Sequence, residues 1–498
     1  MVIDMRTGDI NENTRLIKSA LGEKSPVVVK SFYIGIDEPL EANIIYVNGL
    51  TNKDVIDRDI LKPLMIYAKE DLTQVENICD YLTKRYISMS DNEIITDYTI
   101  IVEYLRRGKT AILINGVREV IIVDTTGGVY RGISEPANET TAKGPRDGFV
   151  ENLEVNVSLI RRKAKDKNLA IEYLKVGRRS QTDIALVYID NIVDKAVLQE
   201  LEKRIKAIDV DISTSAGVLD QYIEKYPYTV FPQSMATERP DRAFANMMEG
   251  RIIVIQEGTP VVNIYPVTFM QFFQAIEDYN QRTVVSSFVR LLRIVAAFIV
   301  ITAPSIYLTL IKFNVELIPI KFVTPIVQSR VGIALTPFLE ILAMELVVEI
   351  LREGGLRLPG KIAQTLSLVG GIIIGDTAIK SRMVSPTTLL VVGITVVCTF
   401  VIPNYDMALS IRILRFPMLI LANVMGIFGI AVGWFLLLVH LSSLDSLGVP
   451  YFEFHSGDLK DTFIRGSMWK MNKRPEGIPN KNPNRQTDFR NKFLKKRQ

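Results

Sequence analysis

Three glutamates, Glu340, Glu345 and Glu349, interrupt an apolar run at 331–351, and Asp376 interrupts another at 362–379. A carboxylate at hydrocarbon depth costs about 3 kcal/mol on insertion scales, so it turns toward protein, water or an opposite charge. On a helix Glu345 and Glu349 fall one turn apart on one face, with Arg352 three residues further on. Two readings follow. One is an internal salt bridge or interfacial helix; the other is a strip of carboxylates lining a hydrated path that attracts cations. Asp376 divides the same way, because Lys380 stands at i+4. The candidate ion path is therefore Glu345, Glu349 and Asp376. A basic cluster, Arg161, Arg162 and Lys163 with Lys165 and Lys167, ends a helix-like run at 149–167. Such a cluster either complements its own helix dipole or meets an acidic partner surface or lipid phosphates. It is the candidate partner contact.

Other chemistry lacks the residues it needs. The 498-residue chain has two histidines, His440 and His455, and two widely separated cysteines, Cys79 and Cys398. No disulfide framework can be read from them, and an unoxidised compartment is expected. The signatures G-x-x-x-x-G-K-[ST], G-x-S-x-G, H-E-x-x-H and paired C-x-x-C do not occur. No catalytic, cofactor-binding or metal-binding set is expected, and the chain is not read as an enzyme.

The elements around the acidic residues are of two kinds. Mean hydropathy is +0.19 although 23% of residues are charged, so the apolar residues are concentrated in segments. Uncharged runs cover 294–311, 383–405 and 416–439. The last two have the length of a bilayer span, and the first reaches it if Arg290 and Arg293 snorkel. Pro304 and Pro337 are expected to free carbonyls within apolar helices. With the two acidic segments this makes about four to five helical segments in an all-α polytopic membrane domain at 281–445. Five simple crossings would put the basic tail, 446–498, on the far side from the first domain. That conflicts with the positive-inside rule unless a polar segment is re-entrant or interfacial.

Charge is partitioned as well: 34 Lys+Arg against 42 Asp+Glu in 1–280, and 12 against 3 in 460–498. An acidic first part argues against nucleic acid as a partner, and a basic tail suits anionic lipid. The start, MVIDMRTGDI, lacks a signal-peptide pattern, so the region 1–280 is expected in the cytoplasm. Residues 480–498 read as disordered.

The part before the apolar runs is duplicated. At an ungapped offset of 142, Tyr46 falls on Tyr188, Lys53 on Lys195, Gly108 on Gly250 and Gly116 on Gly258. In each copy a buried strand, 43–48 or 185–190, precedes a helix beginning near Lys53 or Lys195. Asn115-Gly116 and Glu257-Gly258 then predict tight β-hairpins. The fold class is an α/β soluble region of two duplicated subdomains, 26–133 and 149–280, joined by a linker at 134–148. A short extension, 1–25, precedes them, and the membrane domain follows.

Several stretches resemble one known family. They are Gly144-Pro-Arg-Asp-Gly-Phe-Val-Glu-Asn152, Asn156 with Leu159-Ile-Arg-Arg162, Val176-Gly-Arg-Arg-Ser180, Phe231-Pro-Gln233 and Thr237-Glu-Arg-Pro-Asp241. Toward the C-terminus they are Leu291-Leu-Arg293, Glu345, Glu349-Ile-Leu-Arg-Glu353, Arg357-Leu-Pro359, Val384-Ser-Pro386 and Leu414-Arg-Phe-Pro417. Together they look like the GerA-type spore germination proteins, the A-subunit family of nutrient germinant receptors. The stage V sporulation protein AF group is a close relative and ranks second, because the tail motifs around Trp469 look more like receptor A subunits. The resemblance implies a protein of the spore inner membrane working with a nutrient-binding B-type subunit and a C-type lipoprotein. It also implies a homo-oligomer that opens a nutrient-gated path for monovalent cations. An accessory ion-release protein, a non-conducting scaffold and a secondary transporter are the alternatives.

Overall fold

A computed structural model describes residues 8–21, 27–36, 39–48, 50–72, 75–127, 132–357, 371, 373–487 and 489–490. The chain divides into two compact units, Met1–Tyr130 and Arg131–Gln498.

In the first unit α1 (Ile10–Leu21) leads into β1 (Val27–Ile34) and β2 (Leu40–Val47). A helical stretch from Lys53 continues in wide turns to Tyr67. Then come α2 (Ile78–Arg85), β3 (Asn92–Ile95), α3 (Tyr98–Arg106), β4 (Thr110–Ile114) and β5 (Val120–Val123). Asn77 and Asp97 cap α2 and α3 by accepting from Asp80 N at 3.1 Å and Thr99 N at 2.8 Å. The strands form one antiparallel sheet in the order β1-β2-β4-β5-β3. Both faces of this sheet are covered, which is why β4 and β5 are buried throughout and apolar but for Thr110. Ile112, Ile114, Ile121 and Val123 pack against Ile56, Ile60 and α2, while Ala111, Leu113, Val120 and Ile122 pack against α1 and α3.

The second unit opens with the same design. Its elements are α4 (Leu153–Lys163), β6 (Leu169–Val176), β7 (Thr182–Ile189), α5 (Lys195–Lys206), α6 (Ala216–Ile223), β8 (Met235–Thr237), α7 (Pro240–Met247), β9 (Ile252–Gln256) and β10 (Val262–Tyr265). The sheet order β6-β7-β9-β10-β8 repeats the first. The offset of 142 read from a few residues maps β1, β2, β4 and β5 end to end onto β6, β7, β9 and β10. It also maps α1 onto α4, so the repeat begins within the stretch that sequence reading set apart as an extension. Gly116 and Gly258 turn the two hairpins at φ 83° and 84°, where a side chain would be strained.

The stretch 134–148 is held by the residues of the 237–241 motif. Buried Arg239 donates to Glu139 O at 3.0 Å, Thr141 Oγ1 at 3.1 Å and Pro145 O at 3.0 Å, and its guanidinium is paired with Asp241 at 2.8 Å. Asn156 of α4 brackets Val150, accepting from its N at 2.8 Å and donating to its O at 2.5 Å.

A helical region follows in the same unit: α8 (Thr283–Lys312), α9 (Ile320–Arg330), α10 (Pro337–Leu356), α11 (Pro386–Phe400) and α12 (Tyr405–Ser443). Two of these, α8 and α12, are long and apolar enough to cross a membrane. Most of the acidic segment 362–379 lies outside the described residues.

Three expectations change here. Arg290 and Arg293 do not snorkel; they are buried in α8, where Arg293 Nη1 pairs with Asp278 at 2.8 Å and Arg290 Nη1 with Asp461 at 2.8 Å. Pro337 occupies the first turn of α10, where a missing N–H breaks no helical bond. The run 416–439 is not one straight span. A straight α12 of 39 residues would be about 58 Å long, nearly twice the hydrocarbon core. Instead Gly426 takes φ 61° and ψ −138° and folds α12 into a hairpin with limbs 405–425 and 427–443. A Cβ on Gly433 would stand 2.5 Å from Met418 Sδ, and one on Gly429 would collide with Leu421 O. Small residues let the two limbs touch.

Both ends of the hairpin meet subdomain 2. Ser410 Oγ donates to Val230 O, and His440 Nε2 lies 2.9 Å from Thr229 Oγ1. The tip reaches the other end of α8, where Lys312 Nζ donates to Asn423 O at 2.8 Å. The tail returns to the same subdomain. Arg474 Nε donates to Met248 O at 2.7 Å, and Lys481 N to Ile192 O at 2.9 Å. Residues 480–487, which composition reads as disordered, thus take part in an ordered edge; residues 491–498 lie outside the described residues.

Candidate functional site

Glu345 and Glu349 sit on the face of α10 that meets α11 and the first limb of α12. The i, i+4 spacing puts both carboxylates within reach of one guanidinium. Arg415 Nη2 donates to Glu349 Oε1 at 2.6 Å, and Arg415 Nη1 lies 2.5 Å from Glu345 Oε2. The second contact is off the hydrogen-bonding direction, so Glu345 Oε2 has no hydrogen-bond partner among the described residues. Its other oxygen accepts from Thr395 Oγ1 on α11 at 3.4 Å. Glu345 and Arg415 are almost fully buried, with side chains 1% and 2% exposed, whereas Glu349 is 23% exposed. Arg352 Nε donates to Glu349 Oε2 at 3.0 Å, and Arg412 Nε stands 3.9 Å from Glu349 Oε1.

Two carboxylates therefore face three guanidiniums. Chemically this is an interhelical clasp with an excess positive charge. It binds α10 to α12, and in this arrangement it presents no free carboxylate pair to a cation. The i, i+3 pair Glu349–Arg352 was legible from spacing. The dominant partner, Arg415, was not, because it lies on a different helix far along the chain from Glu349, and its position before an apolar run reads as an interfacial anchor.

Glu340, itself fully buried, makes a second bridge. It accepts from Arg330 Nη1 of α9 at 2.9 Å and from Ser385 N at 2.5 Å, tying α9 and α10 to the start of α11. Asp376 stands apart from both clusters, half exposed and paired with Lys380 at 2.6 Å. Arg161, Arg162 and Lys163 form the last turn of α4; the first two are exposed, and Lys163 pairs with Asp147 at 2.8 Å.

A further network at the foot of α8 escaped sequence reading. Asp278 pairs with Arg290 and Arg293, and Asp461 of the tail accepts from Tyr279 OH at 2.8 Å while pairing with Arg290. Burial dominates Tyr279 and raises its phenol well above the usual value, and the Asp461 charge adds to the shift. The motifs Leu291-Leu-Arg293 and Leu459-Lys-Asp-Thr462 each marked one side of this network, but nothing in the spacing paired them.

The clasp, the duplicated α/β region and the apolar helices together define a membrane-associated protein of two-part design. The chain matches the family described as "Bacillus/Clostridium GerA spore germination protein" over residues 15–477, and it belongs to that family. It is 35% identical over 479 residues to "Spore germination protein KA" of Bacillus subtilis (strain 168), spanning 95% of this chain and 88% of that one. It is 32% identical over 471 residues to "Spore germination protein B1" of the same organism, spanning 94% and 96%. "Uncharacterized membrane protein YfkQ", also of that organism, is 34% identical over 455 residues, spanning 91% and 88%. Among solved structures, the N-terminal domain of the A subunit of the Bacillus megaterium spore germinant receptor GerK3 is 28% identical. It covers 55% of this chain and 100% of its own, with a TM-score of 0.23.

Proposed function

We propose that the chain is the A-type membrane subunit of a spore germinant receptor, a polytopic protein of the spore inner membrane. It works with a B-type subunit and a C-type lipoprotein, forms a homo-oligomer, and contributes to nutrient-gated release of monovalent cations. Family membership over residues 15–477 and relatives named as spore germination proteins support the receptor assignment. Two long apolar helices support the membrane assignment. The α12 hairpin supports an even number of crossings, with the basic tail and the region 1–280 on one side, the cytoplasmic one by the positive-inside rule.

The observation that carries the conducting role is the clasp of Glu345 and Glu349 with Arg415, because ionised groups held between apolar helices mark functional paths more often than plain anchors. In this reading Arg415 holds the carboxylates in the resting state, and gating frees them to face the ion. The test is cation efflux from spores carrying Glu345→Gln or Glu349→Gln after addition of nutrient. Altered efflux with normal receptor assembly is expected. Unchanged efflux in both variants refutes the path assignment.

The saturation of both carboxylates by arginine favours a second reading, a non-conducting scaffold whose clasp is structural. Electrical recording of the purified complex separates the two, because a nutrient-dependent conductance rules out the scaffold.

A further inference from the structure

The first turns of α8, where it leaves subdomain 2, have two unlike faces. Ser286, Arg290 and Arg293 are buried against subdomain 2 and the tail, where Arg465 N also donates to Ser287 Oγ at 3.1 Å. Val284, Phe288, Leu291 and Val295, spaced by four, three and four residues, make the opposite face. Among the described residues this face is open, with Val284 81% and Phe288 66% exposed.

Length sets the level of this root. The 30 residues of α8 rise about 45 Å, against about 30 Å of hydrocarbon and about 40–45 Å once both headgroup layers are included. With Lys312 at the far surface, the first turns lie in the near headgroup layer, and the open face runs on without a break to hydrocarbon depth.

A hollow of about 450 Å3 opens beside the root, with Lys143, Glu277, Arg282 and Val285 in its wall. The wall is built rather than loose. Ala142 N donates to Glu277 Oε1 at 3.1 Å, and Asn280 Nδ2 donates to Lys143 O at 2.8 Å. From behind, Arg239 holds the same segment through Thr141 Oγ1 and Pro145 O. Lys143 and Arg282 are exposed, and neither has an ion-pair partner among the described residues. Two cations against one carboxylate leave the hollow positive.

We infer that the root of α8 is a seat for an anionic phospholipid, whose phosphate headgroup lies between Lys143 and Arg282 while its acyl chains follow Val284, Phe288 and Leu291 into the bilayer. The inference rests on the membrane reading above, in which α8 crosses. Exposed basic side chains beside a crossing attract anionic headgroups, and an apolar face at the same place accepts the chains. A two-fold contact with a second copy fits less well, because it would set these cations against their own counterparts.

The test uses the full chain with Val284→Cys and Cys398→Ser, labelled with bimane at position 284; buried Cys79 stays unlabelled. The protein is placed in phosphatidylcholine nanodiscs carrying a minor fraction of doxyl-labelled lipid, either phosphatidylglycerol or phosphatidylcholine. Quenching should report about a fivefold or greater enrichment of the anionic probe over the neutral one. That contrast should vanish in the double variant Lys143→Gln with Arg282→Gln. If the double variant fails to insert, each single substitution should reduce the contrast. Equal quenching by both probes, a contrast that survives the substitutions, or no quenching by either probe in inserted protein would each overturn the lipid seat, the last by showing position 284 covered by protein. A chain that does not enter nanodiscs at all would overturn the crossing itself, a result distinct from these three.

Discussion

Arg415 holds two carboxylates one helical turn apart, Glu345 at 2.5 Å and Glu349 at 2.6 Å, and by doing so joins α10 to the first limb of α12. Breaking such a pair from one side is costly, because the partner charge stays buried. Arg415→Met should destabilise the detergent-solubilised protein by about 3–5 kcal/mol. Removing the stranded buried charge with Glu345→Gln in the same chain should recover part of that loss. Denaturant midpoints of the single and double variants give the coupling, and independent additive effects would mean that the two residues do not interact.

Gly426 is a second point of control. Its φ of 61° with ψ −138° lies close to a region that only glycine occupies, and a Cβ there would meet the Phe313 ring at 3.3 Å. Gly426→Ala should cost about 1–3 kcal/mol and spread the limbs, which a falling cross-linking yield between cysteines placed at 418 and 433 would report. An unchanged yield and unchanged stability would argue against the hairpin.

Arg239 reaches residues 139, 141 and 145 at once with three hydrogen bonds. Arg239→Ala should open that segment to trypsin at Lys143 and Arg146 while leaving the two sheets folded. Peptide mapping after brief digestion reads the site, and equal cleavage rates in variant and parent would contradict the pinning.

Cys79 tests the first unit alone. It is fully buried, and desolvation, with Glu119 nearby, pushes its thiol up to about 12. Almost no thiolate is present at pH 8, and no reagent reaches it without opening. Alkylation at Cys79, followed by mass spectrometry to separate it from Cys398, should therefore proceed only at the opening rate of this unit. Adding urea below the unfolding midpoint should accelerate it, whereas immediate labelling in buffer would place the thiol at the surface.

The legibility of the fold depended on distance along the chain. One central strand and the hairpin of each subdomain could be read because their signals are local, continuous apolar runs and a glycine where φ must be positive; the more exposed β1, β3 and β6 and the three-residue β8 were not read. The repeat was readable for the same reason, since related sequences at a fixed offset fold alike. Helix 149–167 was recognised, but not that α1 is its counterpart, because α1 shares the fold of α4 and few of its residues.

The candidate site divides along the same line. Spacing alone determined that Glu345 and Glu349 share a helix face and that Arg352 lies within reach. Only the tertiary structure decided that Arg415 neutralises both, that Asp461 meets Arg290, and that 416–439 turns back at Gly426. These pairings join residues far apart in the sequence, and the energy of a buried charge depends on which partner the packed helices deliver to it. Composition places acidic groups among apolar helices; close packing assigns each of them an opposite charge.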